Sequence, residues 1–140
     1  MVQKKEIIEL LNELLAQEHA CFIRYSTHAK VLQGTTARSI EAVLHEIAEE
    51  EEKHANDLRD RILALGGEPT LSIEQQDLIY ATQLKEILKI NINEERKAIS
   101  AYTRLLQKIE PSNVILYETI EHILKDEQHH LEELERLQEK

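Results

Sequence analysis

Residues 47–58 read IAEEEEKHANDL, and residues 123–134 read ILKDEQHHLEEL. Each segment carries Glu-x-x-His, as Glu51 with His54 and as Glu127 with His130. Each has an isoleucine four residues before the glutamate (Ile47, Ile123) and a leucine four after the histidine (Leu58, Leu134). Steps of four, three and four return to one face of an α-helix, so apolar and chemically active side chains share one stripe. At i and i+3 a carboxylate and an imidazole stand one above the other and can hold one cation between an oxygen and a nitrogen.

The same period runs through the rest of the chain. One stripe reads Ile7/Ile8, Leu11, Leu14/Leu15, Glu18, Phe22, Tyr25, His28, Leu32, and another Leu84, Ile87/Leu88, Asn91, Glu94, Ala98, Ala101/Tyr102, Leu105. Breakers separate four such stretches at Gln33–Thr36, Gly66–Thr70 and Glu110–Asn113. Thr35 or Thr36 is expected to cap the second helix and Ser112 or Asn113 the fourth, with Gly66 closing the second. The reading is all-α: one four-helix-bundle domain over residues 1–140. The fifteen residues from Gly66 to Tyr80 exceed an ordinary hairpin loop of about 2–8 residues. Extended, they reach roughly 50 Å, enough for a long crossover between helices 2 and 3.

Spacing ties the polar positions together. Glu18 to Glu51 is 33 residues, and so is Glu94 to Glu127. A shift of 76 carries Glu18, Glu51 and His54 onto Glu94, Glu127 and His130, as a duplicated helical hairpin would. The midpoints, 34.5 and 110.5, fall on predicted turns, so each hairpin places its polar residues at one height. Glu18, Glu51, His54, Glu94, Glu127 and His130 are therefore the candidate metal ligands. Buried carboxylates without counter-charge cost several kcal/mol each. No Lys or Arg stands at these stripe positions, and two divalent cations would cancel four carboxylates. Carboxylates with imidazoles suit iron or manganese, with zinc as competitor.

Composition bounds the alternatives. With 17 Lys+Arg against 27 Asp+Glu the chain carries −10, a poor balance for nucleic acid and a suitable one for cations. Three Gly and two Pro are too few for the turns of a β-sandwich. The single Cys21 excludes an internal disulfide framework and Cys-rich metal sites. No apolar run reaches the ~20 residues of a membrane span, and Met1–Leu10 lacks a signal-peptide core. A cytoplasmic protein with no membrane partner is expected.

This pattern resembles the ferritin-like di-iron carboxylate family, nearest to its bacterioferritins, over about Ile7–Leu137; one Glu from each of two helices and Glu-x-x-His from the other two is the family's motif. The resemblance implies the six residues above as ligands of two iron ions per subunit, with Glu51 and Glu127 bridging. It implies oxidation of Fe(II) by dioxygen or peroxide, in iron storage or detoxification, and a homo-oligomer (a dimer or larger). Tyr25 matches the tyrosine beside the family's di-iron site. Glu52 stands where those proteins use a methionine to bind haem, so haem is not expected. The family's cages carry a short fifth helix, and none is expected before Lys140; a smaller assembly is the alternative to a full cage.

Three other readings compete. A rubrerythrin-like peroxidase would add a four-Cys module and a further Glu where Lys97 stands. A di-metal oxygenase would need a substrate pocket. A non-catalytic bundle would use its metals only for stability. Solvated faces are expected to account for most of His19, His28, His45, His122 and His129, with Cys21 a small buried hydrophobe and Tyr102 in the core.

Overall fold

The computed structural model describes residues 3–32 and 37–139. Four long helices carry the fold: α1 (Lys4–Leu32), α2 (Arg38–Ala64), α3 (Leu84–Lys108) and α4 (Val114–Gln138). Each spans about 38–44 Å at 1.5 Å per residue. Among the described residues there is no strand, and no helix is long and apolar enough to cross a membrane.

The expected crossover is present. Apolar residues pack into two clusters. One joins Leu11 and Leu15 of α1 with Leu58 and Ile62 of α2, Tyr102 and Leu105 of α3, and Leu116 and Ile120 of α4. The other joins Tyr25 and Ala29 with Leu44 and Ile47, Ile87 and Ile92, and Leu134. Early α1 and α4 thus share an end with late α2 and α3, so α2 and α3 run parallel and a connection must traverse the bundle. Residues 65–83 do so along α1. The Asn12 amide donates to the Glu68 carbonyl at 3.0 Å and accepts from the Thr70 N–H at 2.9 Å. Further along, Glu74 N–H donates to the Ala16 carbonyl, Arg24 to the Asp77 carbonyl, and His28 Nε2 to the Ile79 carbonyl. Hydrogen bonds climbing α1 from Asn12 to His28 satisfy backbone groups that an extended segment would otherwise leave unpaired.

Gly66 ends α2 as expected. Its φ is +86°, with Gly66 N–H on the Leu63 carbonyl (3.0 Å) and Gly67 N–H on the Ile62 carbonyl (2.9 Å), a Schellman closure. The expected caps at Thr35 or Thr36 lie outside the described residues. Asn113 occupies the cap position of α4, but its side chain makes no capping bond, and Ser112 turns to Glu110.

A basic residue outside the stripes nonetheless enters the interior. Arg24, on α1 three residues after Cys21, is buried and donates to Asn91 Oδ1 at 2.8 Å, the Asp77 carbonyl and Glu94 Oε1. His28, which falls on the α1 stripe, is also buried: it accepts from Asn91 Nδ2 and donates to the Ile79 carbonyl. Its pKa is lowered by burial. The crossover completes both environments by laying backbone over α1, and for Arg24 helix periodicity does not report it.

Candidate metal centre

Between the two apolar clusters lies a polar layer. Glu18, Glu51, His54, Glu95, Glu127 and His130 are all buried. They form two overlapping quartets, Glu18/Glu51/His54/Glu127 and Glu51/Glu95/Glu127/His130, in each of which the four donor atoms lie within 4.8 Å of one another. Glu51 and Glu127 belong to both.

The detail fits two adjacent cation positions. His54 Nδ1 lies 3.0 Å from Glu18 Oε2, 3.0 Å from Glu51 Oε1 and 3.5 Å from Glu127 Oε1. His130 Nδ1 lies 3.2 Å from Glu127 Oε1, 3.5 Å from Glu95 Oε2 and 3.9 Å from Glu51 Oε1. The two rings stack with centroids 6.2 Å apart. The Tyr25 hydroxyl donates to Glu95 Oε2 at 2.6 Å.

Five of the six residues selected by spacing meet here; Glu94 does not. Its carboxylate points to Arg24 Nη1 (3.4 Å) and Lys97 Nζ (3.0 Å), and Lys97 also holds Asp77 at 2.9 Å. Glu95 takes the place in the cluster. Adjacent helical residues face about 100° apart, so only one of the two can point inward. Both fit the stripe between Asn91 and Ala98. The tie is broken by the turn: α3 ends at Lys108 and α4 begins at Val114, so the turn centres on residue 111. About that centre Glu127 mirrors Glu95. The duplication therefore slips by one residue at this position. The available signal was the pair of consecutive glutamates itself, together with Lys97 one turn after Glu94 as a ready counter-ion.

Burial and mutual charge shift the ionisable groups of the layer in opposite directions. Burial, then the charge of Glu51, raises the Glu18 carboxyl to about 8. Burial and the charges of Glu51 and Glu95 push Glu127 well above the ordinary range, and Glu95 rises by burial and the Glu51 charge. Glu51 goes the other way: burial opposes ionisation, but hydrogen bonds and charge from the histidines bring it to about 2. Burial alone would lower both histidines. Hydrogen bonds to Glu18 and Glu51 instead lift His54 to about 12, and Glu95 lifts His130 to about 10.

The donor set fits a metal pair on an observation independent of charge. Glu51 Oε2, Glu95 Oε1, both oxygens of Glu127 and His130 Nδ1 are buried without a hydrogen-bond partner. Buried polar atoms are nearly always satisfied, so a concentration of exceptions in one layer marks a place where another partner belongs. Oxygen-rich quartets with one imidazole each match the preferences of iron and manganese.

Comparison with known proteins agrees. The ferritin-like domain family matches residues 8–140. The bacterioferritin of Desulfovibrio desulfuricans is 28% identical over 130 residues, covering 92% of this chain and 72% of that protein. A bacterial ferritin of Neisseria meningitidis serogroup A is 30% identical over 144 residues, covering 98% and 91%. Among solved structures, the D. desulfuricans bacterioferritin, described with its diiron site in different catalytic states, superposes with TM-score 0.90 at 27% identity, covering 97% of this chain and 80% of that one. A Bacillus anthracis structure described as ferritin-like, diiron-carboxylate proteins superposes with TM-score 0.88 at 30% identity, covering 99% of both chains.

Proposed function

We propose that this chain, which belongs to the ferritin-like family, binds two Fe(II) ions side by side in the buried layer and oxidises them with dioxygen or peroxide. The carrying observation is the set of five unpartnered donor atoms on Glu51, Glu95, Glu127 and His130. They are grouped with Glu18 and His54 into two quartets that share two carboxylates. In this reading Glu18 and His54 serve one ion, Glu95 and His130 the other, and Glu51 and Glu127 lie between them.

The chain's own groups account for charge and protons. Four carboxylates match the charge of two ferrous ions. Protons held in the metal-free layer, on the two histidines and on the carboxyls that burial raises, leave when iron enters, because ligand atoms must be deprotonated. Each iron then gives up one electron, and the pair supplies two to the oxidant, whose oxygen atoms take up protons. Tyr25, donating to Glu95, holds that carboxylate's orientation at the edge of the layer. Release of Fe(III) to a store, or its retention, distinguishes storage from cofactor-type use.

The test is stepwise addition of Fe(II) to metal-free protein in air, following oxidation past two equivalents per chain. Rapid oxidation that continues beyond two supports ferroxidase turnover. Oxidation that stops at two supports a retained pair and a peroxidase or oxygenase role. A rate no faster than protein-free solution overturns the ferroxidase reading.

A further inference from the structure

Glu18 borders two cavities that lead from the layer toward the surface. One, of about 390 Å³, is walled mainly by Phe22, Ile23, Leu71 and Ile73 and suits a hydrated ion poorly. The other lies between α1, the crossover and α3. Its walls include Glu18 and Cys21, Asp77, and Glu94, Lys97 and Tyr102. At about 10 Å³ it has room for one water-sized particle. Tyr102, only 1% exposed, borders this space, and its hydroxyl has no hydrogen-bond partner. A buried hydroxyl is rarely left unpaired, so a partner belongs beside it. On the outer side, Lys97 Nζ lies 2.9 Å from Asp77 Oδ1 and 3.0 Å from Glu94 Oε2. The lysine side chain is 59% exposed, whereas those of Asp77 and Glu94 are only 9% and 6% exposed.

We propose that Asp77 and Glu94 form an entry station for divalent cations, closed at rest by the Lys97 ammonium and leading past Tyr102 to Glu18. The inference rests on the reading of the layer as a paired metal site. Carboxylate oxygens supplemented by water suit a hard divalent ion. Lys97 holds the two carboxylates with a single, strongly hydrated charge on a flexible stem. A doubly charged ion displaces it, and the stem swings into solvent at little cost, as for other exposed ion pairs. Arg24 stays in place, because it is buried and donates to Asn91 Oδ1 and to the Asp77 carbonyl. Its fixed positive charge, 3.4 Å from Glu94 Oε1, weakens the hold on the ion, which suits passage and not retention. The narrow cavity admits the ion only as it sheds water, and carboxylates at either end replace what is lost. Between them the Tyr102 hydroxyl offers an oxygen to the ion or to its remaining water. Glu18 belongs to the His54 quartet, so the ion reaches the layer at that end first.

The test is stopped-flow loading of metal-free protein with cobalt(II), read by visible absorption, beside an equilibrium titration with the same ion. Asp77→Asn keeps the shape and removes the charge; it is expected to slow loading by about tenfold. Lys97→Gln removes the resident counter-ion and is expected to speed loading. Both variants are expected to keep two ions per chain and the wild-type equilibrium affinity. Glu139→Gln, an equal charge change beyond the end of α4, is expected to load at the wild-type rate, which separates a local station from the general field of an acidic protein. Should Asp77→Asn not fold, the exposed Lys97→Gln poses the same question with the opposite sign. Wild type that binds no cobalt pair overturns the metal-site reading and this inference with it. Wild type that binds the pair, beside Asp77→Asn and Lys97→Gln that load at its rate, overturns this inference alone. So does an Asp77→Asn that loses ions at equilibrium without loading more slowly, since the residue would then be structural.

Discussion

The Tyr25 hydroxyl donates to Glu95 Oε2 across 2.6 Å, joining α1 to α3 at the level of the buried carboxylates. One residue earlier, Glu94 faces Arg24 and Lys97 instead. Two neighbouring glutamates of one helix thus have opposite duties, and the difference can be measured.

Glu95→Ala is expected to reduce metal uptake from two ions to one per chain, because it removes the carboxylate belonging to the His130 quartet alone. Glu94→Ala should leave uptake at two and cost stability by leaving the buried Arg24 without this carboxylate, by less than the roughly 3–5 kcal/mol of a fully broken buried pair because Arg24 keeps Asn91 and the Asp77 carbonyl. Isothermal titration with manganese(II) and chemical denaturation read the two effects separately. A reversed pattern would restore Glu94 to the site.

Removing a central carboxylate should separate function from stability. Glu127→Leu eliminates a buried group with two unpartnered oxygens. Metal-free Glu127→Leu is expected to be at least as stable as the metal-free parent, with a gain of about 1 kcal/mol or more. It should lose the metal-induced rise in Tm, which in the parent reflects a stabilisation of about 2.7 kcal/mol per site at a hundredfold excess of ligand over Kd. Calorimetry with and without manganese(II) checks both.

Acidity sets the next expectation. The raised groups, His54 to about 12, His130 to about 10 and Glu18 to about 8, stabilise the folded metal-free protein fully below their unfolded values, near 6.5 for His and 4.5 for Glu. Those contributions fade as pH rises through the folded values. Glu51, lowered to about 2, behaves oppositely: its contribution is complete above 4.5 and lost as pH falls through 2. Metal-free protein should therefore lose Tm between pH 6.5 and 9. Metal binding expels the same protons, so affinity should rise over that interval, by about tenfold per pH unit for each proton released. Calorimetry and metal titration at three pH values suffice; a flat affinity would contradict proton release on metal binding.

Gly66→Ala is expected to cost about 1–2 kcal/mol, the ordinary penalty for an L-residue in the left-handed region. Nothing lies within 4 Å of the added Cβ, so the whole effect comes from φ = +86°. Gly67→Ala meets a different obstacle, the Ile8 Cγ2 methyl at 2.6 Å, and should disturb α1 packing while leaving the turn intact. Denaturation midpoints of the two variants, with two-dimensional NMR to locate the perturbation, separate backbone strain from overpacking.

Helix count, the parallel course of α2 and α3, and five of the six clustered residues were legible in the chain because they follow from periodic, local rules. Amphipathic stripes specify which face is buried, and a linker too long for a hairpin permits the traverse that the family resemblance implies. Equidistance from a turn specifies height. Each is arithmetic on position along the chain.

What the sequence by itself determined is therefore the bundle and the presence of a carboxylate-histidine layer within it. Tertiary structure alone decided which of Glu94 and Glu95 turns inward, because both satisfy the helical period and the choice depends on a one-residue slip across the α3–α4 turn. It likewise decided that Arg24 is buried, since the segment covering it comes from Asp77, more than fifty positions away. The bonds of His54 to Asp126 and of His130 to Glu50 join helices that are not consecutive in the chain. Contacts of that kind arise only when distant segments meet, and no local period encodes them.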